Sequence, residues 1–83
     1  MDTKALEYIL EIARCRSVTR AARSLGISQS ALSQILLRVE REIGTPLFVR
    51  QKRALKLTEA GELYVEAAES IIDAKNRFLA ELR

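Results

Sequence analysis

The 83-residue sequence contains no histidine and no tryptophan, and it has a single cysteine, Cys15, and a single proline. Without histidine the chain cannot use imidazole as a catalytic base or as a metal ligand. One cysteine can form neither an intramolecular disulfide nor a zinc site, and we expect Cys15 to fill a small space at a helix end. The sequence also lacks a nucleophile paired with a base and a phosphate-binding glycine loop. These absences argue against an enzyme, a metal site and any other cofactor.

Long apolar runs are absent too. None approaches the roughly 18 residues of a membrane-spanning helix, and the N-terminus lacks the basic and then apolar pattern of a signal peptide. We therefore expect a cytoplasmic protein with no membrane partner. With 48% apolar and 30% charged residues, the composition is that of one small folded unit.

Positive charge is concentrated in the first two thirds of the chain. Residues 1–57 contain 11 Lys and Arg against five Asp and Glu, whereas residues 58–83 contain three against six. The first part is therefore the candidate surface for a polyanion, and the acidic tail is not.

Apolar residues at helical spacing predict two helices within the first 25 residues. The first runs from about Thr3 to Arg14, and its buried stripe is Leu6, Ile9, Leu10 and Ala13, widened by Tyr8 and Ile12. The second runs from Val18 to Leu25 after Ser17, which is a good N-cap. Its inner stripe is Val18, Ala21, Ala22 and Leu25. The small alanine side chains allow another helix to approach closely.

A third helix follows a short turn. Gly26 stands where a helix end favours a left-handed residue, and Ser28 can cap the next helix, which predicts a helix-turn-helix over about residues 18–37. The expected buried stripe of the third helix is Leu32, Leu36, Val39 and Ile43, and its far side is Gln29, Ser30, Ser33, Gln34 and Leu37. Amide and hydroxyl groups both donate and accept hydrogen bonds, so they suit base edges in the major groove. A polar face that only contacts solvent is the alternative.

The pattern changes after Gly44, and Pro46 is expected to end the third helix. Leu47-Phe48-Val49 and Leu55-Lys56-Leu57 are typical of two short strands, with the basic turn Arg50-Gln51-Lys52-Arg53 between them. A hairpin after a helix-turn-helix is a wing, here at about residues 47–57. Its basic tip can lie along phosphates or in a minor groove. An ordinary solvated loop is the alternative.

The last 26 residues predict one long helix. Thr58 is a suitable N-cap, and Glu59 and Glu62 complement the helix dipole, while Gly61 is the only weak helix former. One apolar stripe is Ala60, Tyr64, Ala67, Ile71, Ala74 and Phe78, and a neighbouring stripe is Val65, Ala68, Ile72 and Leu79. So small a domain cannot bury both stripes. We therefore expect residues 58–83 to pair with a second copy through Tyr64, Ala67, Ile71, Ala74 and Phe78. A monomer with this helix folded onto the rest of the chain is the alternative.

Several motifs occur in a fixed order along nearly the whole chain. They are Ala21-Ala22, Leu25, Ser28-Gln29-Ser30-Ala31-Leu32-Ser33, Glu40, Gly44, Pro46-Leu47-Phe48-Val49-Arg50 and Leu57-Thr58-Glu59-Ala60-Gly61. Together they resemble the N-terminal DNA-binding domain of bacterial LysR-type transcriptional regulators. The resemblance implies a mostly α fold, in which residues 1–57 form a winged helix-turn-helix of three helices plus a two-stranded wing. A long C-terminal dimerisation helix, residues 58–83, follows it.

The same resemblance implies a partner and a set of contact residues. The partner is double-stranded DNA, bound by a homodimer on a pseudo-palindromic operator, and the family's effector-sensing domain is absent from this chain. The residues placed against bases are Gln29, Ser30, Ser33 and Gln34. Those placed against phosphates or the minor groove are Thr19, Arg20, Ser28, Arg38, Arg50, Lys52 and Arg53.

This sequence departs from the family pattern on the third helix. Gln34 stands where the family often has Arg, and Ile35 and Leu37 replace residues that are usually polar or basic. Ile35 borders the buried stripe and can be absorbed into the core. Leu37 can touch a thymine methyl, meet the wing or remain exposed.

A protein-interaction and dimerisation module whose basic head binds an acidic partner is the competing hypothesis. It explains the long helix and the uneven charge. It does not explain why Ser28-Gln29-Ser30 opens a helix opposite an alanine-lined one, or why a basic hairpin follows.

Overall fold

The computed structural model describes all 83 residues and contains four helices and one two-stranded sheet. The elements are α1 (Lys4–Cys15), α2 (Val18–Leu25), α3 (Gln29–Ile43), β1 (Phe48–Gln51), β2 (Ala54–Leu57) and α4 (Glu59–Glu81). The predicted order of three helices, a two-stranded wing and a long C-terminal helix is confirmed. None of the helices combines the length and the apolar character needed to cross a membrane.

Serine hydroxyls begin both helices of the helix-turn-helix. The Oγ of Ser17 accepts a hydrogen bond from the backbone N–H of Arg20, and the Oγ of Ser28 accepts one from that of Ala31. These caps satisfy amides that have no partner inside the helix. The turn between α2 and α3 is therefore fixed at both of its ends.

Left-handed residues end the first three helices. Gly26 has a φ of 72° after α2, and Gly44 has a φ of 90° after α3. The helix α3 therefore ends at Ile43 with Gly44 as its cap, and the prediction that Pro46 ends it was wrong, because the left-handed glycine stops the helix before the proline. The helix α1 ends at Cys15 with Arg16 left-handed, so both of its boundaries lie one residue later than predicted.

The core lies where α1, α2, α3 and the start of the wing meet. Its buried residues are Ile9, Ile12, Ala21, Ala22, Leu32, Val39, Leu47 and Phe48. The alanines of α2 are almost completely buried, which confirms the predicted close approach of a neighbouring helix. Cys15 is half-buried against this core at the end of α1, as predicted.

Two predicted stripes differ from the structure. The core-facing residues of α1 are Ile9 and Ile12, whereas Leu10 is half-buried beside Val65 of α4. The stripe is displaced because α1 packs against α4 as well as against α2 and α3. Ile43 was predicted to be buried but is 44% exposed. It is the last residue of α3, where the helix has passed the edge of the core.

A carboxylate joins α1 to α2. The Oε atoms of Glu11 accept hydrogen bonds from Arg14 at 2.8 Å and from the Oγ of Ser24 at 2.5 Å. The bond from Arg14 is the main reason that the pKa of Glu11 falls to about 2, and the bond from Ser24 adds to the shift. This carboxylate therefore keeps its charge, and the contact between the two helices, at all but strongly acidic pH.

The wing is an antiparallel hairpin with a tight basic tip. Its register runs from Phe48 opposite Leu57 to Gln51 opposite Ala54. The residues between the strands are Lys52 and Arg53, with φ values of 50° and 68°. Two positive φ values in a two-residue loop are the geometry of a type I′ turn, which favours Asn-Gly. The protein instead places two cations at these positions, at a cost in backbone strain.

Arg16 ties the wing to the turn between α1 and α2. Its carbonyl accepts a hydrogen bond from the backbone N–H of Leu55 at 3.0 Å, and its Nε donates to the Leu55 carbonyl at 3.3 Å. Sequence reasoning missed this role, because an arginine in a left-handed conformation has no sequence signal comparable to glycine.

The backbone of Leu47 connects α3 to α4. Its N–H donates to the carboxylate of Glu40 at 2.7 Å, and its carbonyl accepts from the N–H of Thr58 at 3.0 Å. Thr58 also caps α4 by accepting from the N–H of Gly61 at 3.0 Å. Gly61 is buried, and a Cβ at this position would overlap the Leu47 carbonyl oxygen and lie 2.9 Å from the Cδ2 of Leu57. Glycine is a weak helix former, but close packing against Leu47 leaves no space for a larger residue at position 61.

We expect Gly61→Ala to lower the free energy of unfolding by about 2 kcal/mol, because overpacking outweighs the better helix propensity of alanine. Urea unfolding followed by circular dichroism measures this change. Ser70→Ala, at an exposed position of the same helix, is the matched control and should be neutral or slightly stabilising. Equal stability of the two variants would contradict the close contact at Leu47.

Candidate nucleic-acid interface

The first turns of α3 present a polar ridge. Gln29, Ser30 and Gln34 are exposed and Ser33 is half-buried, while Leu32 between them is completely buried. The hydroxyl of Ser28 is engaged in the helix cap and lies 3.4 Å from that of Ser30. The ridge therefore projects from a helix whose opposite side is fixed in the core. Its groups are the amides of Gln29 and Gln34 and the hydroxyls of Ser30 and Ser33, and all of them can both donate and accept hydrogen bonds, although the Ser30 hydroxyl already shares one with Ser28.

The residues predicted to contact phosphates are exposed on three elements. Thr19 and the cation Arg20 lie in the first turn of α2, Arg38 lies on α3, and Arg50, Lys52 and Arg53 lie on the wing. Only two ion pairs within 4.0 Å form in the whole chain, Arg14 with Glu11 and Lys75 with Glu7. Of the 11 basic residues in positions 1–57, Arg14 alone has a carboxylate partner. The other cations are free to neutralise an external anion.

The elements that carry these cations share one rigid support. The helix α2 packs on α3 through its buried alanines, and the wing is held to the turn between α1 and α2 by Arg16. The ridge and these cations therefore hold a fixed relative arrangement without a ligand. Such preorganisation reduces the ordering cost of binding.

The two departures on α3 have different surroundings. Ile35 packs against the core, which confirms that it is absorbed as an apolar residue. Leu37 is 55% exposed and lines one surface depression with Gln34, Arg38 and Arg41, and another with Glu40, Thr45 and Pro46. Neither depression contains a wing residue, and more than half of the Leu37 side chain remains open to solvent. Arg41 adds an exposed cation beside Leu37 that the sequence analysis did not select.

The helix α4 has one packed face and one free face. Ala68 is 1% exposed, and Val65 and Ile72 are half-buried on the same side, where α4 rests on α1. Leu79 was predicted to share this side, but it is 41% exposed because it lies near the end of α4, beyond the head, which is formed by residues 1–57.

Most of the residues predicted for pairing lie on the other side of α4. Ala67, Ile71, Ala74 and Phe78 are exposed. Tyr64 differs, because it packs against the core of its own chain, and burial raises the pKa of its hydroxyl, with Glu42 adding to the shift. Leu63 and Leu82, which are 64% and 68% exposed, extend the row at helical spacing. The free face of α4 is therefore Leu63, Ala67, Ile71, Ala74, Phe78 and Leu82.

Solved structures similar to this chain include complexes with DNA. The crystal structure of the BenM DNA-binding domain with catB site 1 DNA matches with a TM-score of 0.90 and 27% identity, over 99% of this chain and 92% of that chain. The complex of the CbnR DNA-binding domain with DNA matches with a TM-score of 0.83 and 28% identity, over the full length of both chains.

Sequence comparison gives the same result. The HTH-type transcriptional regulator BudR of Klebsiella aerogenes is 47% identical over 83 residues. That alignment covers all of this chain and 58% of the relative, so the chain spans less than two thirds of that protein's length. The model of the bacterial regulatory helix-turn-helix proteins of the lysR family matches residues 3–62. This chain therefore belongs to the lysR family of bacterial regulatory helix-turn-helix proteins.

Proposed function

We propose that this chain binds double-stranded DNA sequence-specifically as a dimer, with α3 in the major groove and the wing on phosphates or in the minor groove. The observation that carries the proposal is an exposed polar ridge on α3 in a domain whose exposed cations on α2, α3 and the wing have no acidic partners. The DNA complexes of the similar BenM and CbnR domains support it. In this proposal residues 1–57 contact DNA and residues 58–83 form the dimer.

The ridge and the cations have different tasks in this proposal. Gln29 and Gln34 can each form two hydrogen bonds with an adenine edge, and Ser30 and Ser33 can bond to several bases. The contacts to phosphates or the minor groove are assigned to Thr19, Arg20, Ser28, Arg38, Arg50, Lys52 and Arg53. Phosphate contacts release counterions and supply affinity, while base contacts supply specificity.

The free face of α4 supports pairing with a second copy. It presents a row of apolar residues along a helix of 23 residues, and Ile71 and Phe78 are each about half exposed. A two-fold dimer buries the same row on both chains. It also sets two copies of α3 about 34 Å apart, or a multiple of that distance, which matches successive major grooves on one side of the duplex.

Charges beside the free face favour antiparallel pairing. At about 100° per residue, Glu66 and Arg77 lie on the same flank of the free face, one towards each end of α4. In an antiparallel pair each flank meets its own copy, so Glu66 of one chain faces Arg77 of the other, and this contact forms twice. In a parallel pair the two residues lie at different heights and do not meet.

Base discrimination tests the role of the ridge. We expect Gln29→Ala to lose about 1–3 kcal/mol of discrimination at one base pair of each half-site, while binding to random DNA changes little. The measurement is competition among all single base-pair variants of the operator that the unaltered domain selects. Asn76→Ala removes an exposed amide from α4 and serves as the control. If the Gln29 variant kept the original base preferences, its assigned role would be wrong.

A double substitution at the wing tip should change stability and DNA binding in opposite directions. We expect Lys52→Asn combined with Arg53→Gly to raise the free energy of unfolding by about 1 kcal/mol, because it relieves two strained φ values. The same variant should bind all DNA sequences more weakly, and the slope of log affinity against log salt should fall by about two for each half-site, or about four for the dimer on its full operator. Fluorescence anisotropy over a salt series measures the slope. Lys4→Asn, at an exposed position on α1, is the charge control, and an unchanged slope in the tip variant would remove the wing from the interface.

Charge exchange on α4 tests dimer formation and orientation. We expect Glu66→Arg and Arg77→Glu each to weaken the homodimer by about fivefold, since each creates two like-charge contacts. A mixture of the two variants should form a heterodimer, because both contacts then join opposite charges. Sedimentation and native mass spectrometry measure these species. Glu69→Arg, on the opposite side of α4, is the control, and a mixture without preference for the heterodimer would refute the antiparallel pair.

A further inference from the structure

Thr3 occupies the N-cap position of α1 but does not cap the helix. Its side chain makes no cap hydrogen bond, unlike those of Ser17, Ser28 and Thr58. The Oγ1 of Thr3 instead donates to the Oε2 of Glu7 at 2.6 Å and accepts from the Nζ of Lys75 at 2.9 Å. A hydroxyl at a position that usually stabilises its own helix is thus used for a contact with α4.

These three side chains form a closed polar network, which we name the latch (Thr3, Glu7 and Lys75). The Nζ of Lys75 also lies 3.6 Å from the Oε2 of Glu7, so each member contacts the other two. Thr3 is only 6% exposed, and the Lys75 side chain is 23% exposed. The latch joins residues 72 positions apart in sequence, at the start of α1 and in the last third of α4.

The latch lies beyond the buried contacts of α4 with residues 1–57. Thr58 and Gly61 fix the N-terminal end of α4 against Leu47, and Ala68 is buried further along. Lys75 follows Ala68 by seven residues, which corresponds to about 10 Å of helix. A contact beyond the last fully buried residue restrains the angle of the helix more effectively than a contact beside that residue.

We propose that the latch sets the angle between the head and α4, and with it the half-site spacing that the dimer accepts on DNA. Lys75 is a positioning residue in this account, and the inference rests on the proposed dimeric DNA binding. The arm from Ala68 to Lys75 is about 10 Å long, so a movement of about 1.5 Å at Lys75 rotates α4 by about 8°. A displacement of about 1.5 Å of residues 1–57 in each chain would change the separation of the two copies of α3 by about 3 Å, which is close to one base-pair step of about 3.4 Å.

Because the latch is partly exposed, its loss should change the angle of α4 without unfolding the protein. An ion pair in which Glu7 is 49% exposed contributes little to stability, because solvent screens it. The buried contacts of Gly61 and Ala68 remain when Lys75 is changed. Variants of the latch should therefore stay folded and dimeric while the angle of α4 becomes less restricted.

Selection of operators with different spacing tests the latch. The dimer is offered inverted half-sites separated by spacers that differ in steps of one base pair, and the affinity for each is measured. We expect Lys75→Met and Thr3→Val to lower the preference for the best spacer over its neighbours by about threefold, the factor expected from losing an exposed ion pair. Lys75→Arg should restore the preference. Arg83→Met removes a cation just beyond the end of α4, at a position without an acidic partner, and should leave the preference unchanged.

Two results would overturn the proposal. The first is that Lys75→Met keeps the same spacer preference as the unaltered protein. The second is that Lys75→Met loses as much affinity for an isolated half-site as for the full operator, which would place Lys75 in the DNA contact itself. If the unaltered protein bound operators of every spacer length equally well, the proposal of dimeric binding would be wrong. This result needs no variant, so it can be told apart from a failure of the latch proposal.

A distance measurement without DNA tests the latch independently of the proposed function. Spin labels at Gln34→Cys and Arg83→Cys, in a Cys15→Ala background and diluted with unlabelled chains, report the separation of α3 and the end of α4. We expect Lys75→Met to broaden or shift this distance distribution. An unchanged distribution would refute the latch even if DNA binding were established.

Discussion

The backbone of Leu47 is the point at which the functional parts of this protein are joined. Its N–H is bonded to Glu40 of α3, its carbonyl is bonded to Thr58 at the start of α4, and Gly61 presses against the same carbonyl. Leu47 is completely buried, so neither backbone group can find a replacement partner in water. One peptide segment therefore fixes the last turn of α3, the base of the wing and the start of α4. The orientation of α4 is therefore coupled to that of α3, because this buried segment holds both helices by hydrogen bonds.

The surface separates two kinds of chemistry that DNA recognition requires. The first turns of α3 carry amides and hydroxyls and no charge, whereas the cations lie on α2, on the later turns of α3 and on the wing. Amides and hydroxyls discriminate between base edges, but they add little affinity, while unpaired cations add affinity for every sequence. The strained tip of the wing follows the same logic, because two cations occupy positions at which Asn and Gly would be more stable. The wing tip is therefore less stable than an Asn-Gly turn would be, but it carries two positive charges.

Much of this arrangement could be predicted from the sequence, because local chemistry determines it. Serine caps, a glycine in the turn and two small alanines gave α2 and the start of α3 correctly, and the polar ridge followed from the helical repeat. The errors arose where tertiary contacts decide. Ile43 lies beyond the edge of the core, and Tyr64 packs against the core of its own chain. The buried stripe of α1 is displaced because α4 packs beside it. Gly61, Arg16 and the latch depend on contacts between distant segments. No periodic pattern in one segment could have revealed them.

We propose above all that the ridge of α3 enters the major groove of a specific duplex. Nuclear magnetic resonance of the ¹⁵N-labelled protein tests this placement most directly, because the side-chain amide groups of Gln29 and Gln34 give their own signals. If α3 lies in the major groove, these signals should shift with the selected operator and not with a scrambled duplex at the same salt concentration, while signals of the wing should shift with both. Unchanged Gln29 and Gln34 signals in a protein saturated with its operator would contradict this placement of α3.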